Sequence, residues 1–123
     1  MSDLDATVGP AGRDEVEWAH PIWYALVWGG IGLLAVIALS PDFYAYWTTS
    51  VMGLPGREVM LIILWVCLPI HLFEGWYCHR LAHRIGLPNS AKQWGWQAFW
   101  VGFPGTRLLL KRKRAWAEAQ EAA

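Results

Sequence analysis

The chain has little charge and almost no cysteine. Only 16% of its 123 residues are charged, against 55% hydrophobic, which is charge-poor for a soluble domain and too apolar for a disordered chain. Basic residues are scarce at the start, where Asp3, Asp5, Asp14, Glu15 and Glu17 face a single Arg13. A secretory signal peptide opens on a basic region, so this start is not read as one. It is expected to be a short disordered or surface-lying lead-in. Cys67 and Cys78 form no CxxC pair, which argues against a disulfide framework or a cysteine metal site. With a formal net charge of zero, no overall field draws nucleic acid. Neither a phosphate-binding loop nor a nucleophile motif is present.

What is abundant is apolar sequence in long runs. Residues 21–39 are uncharged, open on Pro21 and end at Ser40-Pro41-Asp42; proline suits a first helical turn, where its missing N–H costs nothing. Residues 59–77 follow a Gly53-Leu54-Pro55-Gly56 turn and carry one charge, Glu74. Residues 94–110 are shorter and carry Pro104 and Arg107. A run of about 20 apolar residues crosses a bilayer core as a helix. Ten tryptophans, most of them toward the ends of these runs, suit the headgroup level. The expected fold is therefore all-α, an integral membrane bundle of three transmembrane helices at about 21–39, 59–77 and 94–110. Residues 1–20 form a polar acidic tail, 21–110 the membrane domain, and 111–123 a basic, then helical, C-terminal tail. The aromatic stretch Asp42 to Trp47 is expected to lie in the interface.

With three spans and the N-terminus outside, the Lys111-Arg112-Lys113-Arg114 cluster falls inside, so the C-terminus is expected to be cytoplasmic. If 94–110 is instead a re-entrant hairpin broken at Phe103-Pro104-Gly105, both basic regions share one side. Small residues Ala25, Gly29 and Gly32 share one face of the first segment, and Gly95, Ala98, Gly102 and Gly105 one face of the third. Close approach through such faces associates helices in lipid, and both are expected to pack on the second segment. The basic cluster can contact anionic headgroups or simply flank a span.

Cys67, His71, Glu74 and Cys78 recur at spacings of 4, 3 and 4, forming one helical stripe, with Pro69 expected to kink it. An intramembrane carboxylate costs roughly 2.5–3.5 kcal/mol on insertion scales unless paired, protonated or wet. Three readings of His71 and Glu74 stand. They bond each other and a neighbouring helix, as polar glue. They form a proton-handling or ligand-orienting pair, with Tyr77, Cys78 and Trp96 completing a ligand site. Or His71 joins His79, His83 and a cysteine in holding metal or haem; His79 and His83 share a face but lack the glutamate of a zinc hydrolase. No cofactor is expected, with haem or metal left open. Expected partners are membrane lipids, a hydrophobic small molecule, and copies of this chain or a larger membrane complex.

His71-x-x-Glu74-x-x-Tyr77, followed by Gly86, Trp96, Gly102 and the closing Lys-Arg-Lys-Arg, resembles the transmembrane protein 254 family over roughly residues 59–114. The resemblance implies a small multi-span membrane protein and supplies no activity. More distantly, the chain is similar to sterol isomerases and related sterol-binding membrane proteins, from which it departs in having fewer spans and one intramembrane carboxylate. The reading is a non-catalytic accessory or hydrophobic-ligand-binding protein. The alternative is a lipid- or sterol-modifying enzyme using His71 and Glu74 for proton transfer.

Overall fold

The computed structural model describes residues 8–53 and 55–123. Asp3 and Asp5 of the acidic tail and Leu54 of the turn at 53–56 lie outside the described residues. The described residues form five helices and one short hairpin: β1 Val8–Gly9, β2 Gly12–Arg13, α1 Pro21–Leu39, α2 Pro41–Ser50, α3 Arg57–Arg84, α4 Ala91–Val101 and α5 Phe103–Ala122. They divide into two units, Pro21–Ile70 and residues 8–20 with His71–Ala123.

In the first unit a single residue, Ser40, joins α1 to α2. Pro41 bars the residue before it from the helical region, and Ser40 is extended, at φ −107° and ψ 113°. Its hydroxyl accepts from the Phe43 N–H and so caps α2. Ile37, Ala38 and Met60 form the buried core, flanked by Leu34, Tyr44, Trp47, Leu61 and Leu64. The Arg57 side chain closes the unit by donating to the Ala38 carbonyl at 2.8 Å. Beside Gly29 and Gly32 a Cβ would meet nothing within 4 Å. The small face of α1 is therefore not packed on α3 as expected, because α1 meets its unit through the larger side chains of its last turns.

α1 and α3 are the two described helices long and apolar enough to cross a membrane. Only 11% and 6% of their most apolar windows are buried, whereas the core helix of a soluble protein hides such residues. α3 runs unbroken through Pro69 and outlasts the expected segment by two turns. It ends in a Schellman motif: Gly86 takes φ +85°, its N–H reaches the His83 carbonyl, and the Leu87 N–H reaches that of Ala82 at 2.8 Å.

The expected third span is not one helix. Residues 94–110 break at Gly102, whose φ of 68° only glycine adopts without strain. Pro104 then fits the first turn of α5. α4 and α5 fold back on each other there, so closely that a Cβ at Gly105 would lie 2.9 Å from Gln97 Cγ. Together they pack on the C-terminal half of α3 around Cys78, Leu81, Ala82, Trp94, Ala98 and Leu109.

The described part of the N-terminal tail is also ordered, against the expectation of a disordered or surface-lying lead-in. The β1–β2 hairpin pairs Val8 with Arg13 and Gly9 with Gly12, and the following strap is fastened to α4 and α5. Gln97, fully buried, donates to the Glu17 carbonyl at 2.9 Å and accepts from the Ala19 N–H at 2.6 Å, which satisfies both ends of a buried amide. Arg112 donates to the carbonyls of Ala11 and Arg13 and to the Glu17 carboxylate. One member of the basic cluster is thus an internal clamp.

Asp14 caps α4 from a distance in sequence. Its carboxylate accepts from the Asn89 and Ser90 N–H groups, both at 2.9 Å, and from the Ser90 hydroxyl at 2.6 Å. Burial opposes its charge, but these bonds, led by the Ser90 hydroxyl and aided by His83, outweigh it and hold the carboxyl below its ordinary value. A lowered folded pKa gives stability that is present above the ordinary aspartate pKa and lost as pH falls through the lowered value. Docking of residues 8–20 should accordingly weaken at low pH, and Asp14→Ala should remove about 1 kcal/mol at neutral pH. Hydrogen exchange of the strap, compared between wild type and variant across that pH range, reads both effects.

Candidate functional site

The site lies where α4 ends against α3. Gly75 of α3 and Gly95 of α4 bring the two backbones together: a Cβ on Gly95 would sit 2.8 Å from the Gly75 carbonyl oxygen. That crossing carries the end of α4 to the level of Glu74, next to Gly75, and of His71, one turn before it on α3. His71 Nδ1 bonds the Phe99 carbonyl across the two helices. A carbonyl only accepts, so Nδ1 holds the proton of this bond, and the opposite nitrogen, Nε2, is turned to the chain break. There a Cβ at Gly102 would lie 2.9 Å from Glu74 Oε2 and 3.6 Å from His71 Nε2. Glycine is required at 102 by its positive φ, while the ends of these two side chains lie close against it.

Glu74 Oε2 is buried and has no hydrogen-bond partner. Trp47 Nε1 and Trp94 Nε1 share that condition, but Glu74 alone among the three is ionisable and an acceptor. The mutual His71–Glu74 bond of the polar-glue reading is not formed among the described residues; His71 is bonded to α4 instead. A buried acceptor left unsatisfied costs about 1–3 kcal/mol, and more when charged.

The other expected site residues fall around this point unevenly. Tyr77 is half-buried and stacks on Phe73, centroids 6.2 Å apart. Trp96 is 60% exposed and stacks on Phe99 at 6.0 Å. Cys78 is fully buried, and its thiol donates to the Thr106 hydroxyl at 3.5 Å, tying α3 to α5. His79 and His83 meet ring to ring at 4.9 Å. His71 does not join them: among the described residues no group of three or more His, Cys, Asp or Glu side chains stands close enough to hold a metal ion. Sequence reasoning missed the Phe99 carbonyl, which no side-chain pattern marks. It placed Gly102 on a packing face and gave a break only as the alternative, at Phe103-Pro104-Gly105, one residue beyond the glycine where α4 and α5 meet.

Two described helices, α1 and α3, are long and apolar enough to cross a membrane and are little buried, in keeping with an integral membrane protein. The chain belongs to the Transmembrane protein 254 family, whose family model matches residues 22–111. The match takes in α1 and α2 as well as the region from α3 onward that carried the resemblance. No curated protein and no solved structure matches the chain.

Proposed function

We propose that this protein is a multi-pass membrane protein that binds a hydrophobic molecule by its polar head at His71 and Glu74, in an accessory role and not as an enzyme. In this reading α1 and α3 cross the bilayer, and α4 with α5 folds back on the end of α3 at the interface in place of a third span. Counted along α3 from Tyr77, His71 lies about 9 Å inside the apolar run. That depth suits a ligand whose head stays near the interface and whose tail lies in lipid.

The observation that carries the reading is the unpartnered Glu74 Oε2 beside an imidazole already anchored through its other nitrogen. With Glu74 ionised and the His71 ring neutral and protonated at Nδ1, both atoms facing Gly102 are acceptors, so the group that satisfies them is a donor. Long-chain alcohols and amines have such heads. A ketone has no hydrogen to give, and a carboxylate or phosphate adds repulsion. Tyr77 and Trp96, with Phe73 and Phe99, supply aromatic surface for the ligand's body, as is usual where one end of a molecule is wet and the other apolar.

Native mass spectrometry of the protein in mild detergent tests this. A reproducible small-molecule adduct is expected on the wild type and absent from His71→Ala, while Glu74→Gln, which keeps shape and much of the hydrogen bonding, retains it weakly. Turnover of the bound molecule by the wild type, abolished in Glu74→Gln, would convert the reading to the lipid- or sterol-modifying one. A protomer or oligomer carrying only bulk lipid would remove the ligand altogether.

A further inference from the structure

The internal clamp at Arg112 has a consequence for the membrane that does not depend on the His71–Glu74 site. Residues 8–20 lead directly into α1, and Arg112, two turns from the start of α5, is bonded to Ala11, Arg13 and Glu17. Asp14 is bonded at the start of α4. The strap, the start of α4 and the middle of α5 therefore lie on one side of the bilayer, and two crossings by α1 and α3 return the chain to that side. Nine of the ten Lys and Arg residues belong to this unit. The tenth, Arg57, opens α3 at its opposite end. Charge bias of this kind marks the cytoplasmic side.

On that side α5 is amphipathic across its first three turns. Gly105, Thr106 and Leu109 are buried inward. Phe103, Arg107, Leu110, Lys111 and Arg114 are exposed and recur at helical spacing along one outer face. We infer that this outer face of α5 docks on the anionic lipids of the cytoplasmic leaflet, the three cations meeting headgroup phosphates and carboxylates while Phe103 and Leu110 enter the acyl boundary. Charge complementarity decides the occupant: the leaflet is negative, and basic residues near it are attracted within a Debye length. The arrangement of cations and apolar side chains is that of an interfacial helix. Two aromatic residues on the neighbouring elements, Trp76 and Trp96, are exposed as well, and Arg80 lies over the Trp76 ring at 5.6 Å, in keeping with an interface at this level. Further along the same face come Glu118 and Glu121, so the attraction ends after Arg114 and the last turns stand off the surface.

The test uses the full chain in nanodiscs of phosphatidylcholine, with and without phosphatidylserine. Hydrogen exchange over residues 103–114 should slow when phosphatidylserine is present, and the combined Arg107→Gln, Lys111→Gln and Arg114→Gln variant should lose that dependence. Three basic contacts predict an effect on the order of a hundredfold, reduced by added salt. Arg112 is untouched, so unchanged protection of residues 8–20 shows that the variant is folded. Exchange that ignores phosphatidylserine, or a phosphatidylserine effect that survives in the folded variant, overturns the assignment. Protection in phosphatidylcholine that falls on dilution would assign the face to a second copy of the chain instead. Labels at residue 8 and residue 123 reacting from opposite sides of the membrane would also overturn it.

Discussion

Gly95→Leu should unfold the unit formed by residues 8–20 and 71–123. At this crossing there is no flexible side chain to give way: a Cβ at 95 would stand 2.8 Å from the Gly75 carbonyl oxygen and 3.0 Å from His79 Cβ. Accommodating it means moving α4 off α3, and with it the Phe99 carbonyl that holds His71. Overpacking of an ordinary core costs about 1–3 kcal/mol, and a backbone-to-backbone contact belongs at or above the top of that range. Thermal or denaturant unfolding in detergent should show the loss, and Gly95→Ala a smaller one. Gly29→Ala is the contrast. Its Cβ meets nothing within 4 Å, and alanine is the better helix former by about 1 kcal/mol, so stability should hold or rise. Equal losses at 29 and 95 would mean that the glycines act through something other than this crossing.

The second large effect is expected at Arg112. Its guanidinium serves two strap carbonyls and the Glu17 carboxylate and lies 5.8 Å from the centre of the buried Trp94 ring. The Arg112 side chain is 14% exposed and Glu17 is 46% exposed, so the ion pair itself is weak in water. The cost of Arg112→Ala comes mainly from the carbonyls left without a donor, and is expected to total about 2–3 kcal/mol. Arg112→Lys keeps the charge but not the planar fork of donors, and should recover less than half. In both variants protection of residues 8–20 against hydrogen exchange should fall before that of α3. Strap protection unchanged in Arg112→Ala would refute the clamp. It would also remove the argument that residues 8–20 and α5 share one side of the bilayer.

Legibility in the sequence followed local pattern. α1 was readable to the residue, because an uncharged run between Pro21 and Ser40-Pro41 carries both its start and its stop. α3 was readable in kind but not in length: His79, Arg80, His83 and Arg84 end an apolar run, yet they continue a helix that only Gly86 terminates. Residues 94–110 misled because apolar content was counted across a break. Gly102 and Pro104 together spell a stop and a restart, and neither interrupts the hydropathy enough to show it. The strap was the least legible part. Asp14, Glu17 and Arg112 read as tail charges and flanking charges, and their partners are mostly backbone groups some 75 to 100 residues away, which no periodicity encodes. At the site, the stripe of His71 and Glu74 was visible from spacing alone. That His71 turns to Phe99 and leaves Glu74 unsatisfied depends on α4 folding back against α3, and so on Gly75, Gly95 and Gly102 acting together.

In the proposed ligand site His71 and Glu74 do not satisfy each other and so present acceptors to a donor from outside the chain. Nitrogen NMR of the His71 ring, in protein reconstituted in lipid and selectively labelled, tests it most directly. The expected spectrum has Nδ1 carrying the proton given to the Phe99 carbonyl and Nε2 carrying none of its own, with the Nε2 signal moving when the bound molecule is stripped by detergent exchange. A proton on Nε2 shared with Glu74, unmoved by stripping and lost in Glu74→Gln, would mean that the pair is closed on itself. His71 and Glu74 would then be structural glue between helices, and the ligand site would not exist.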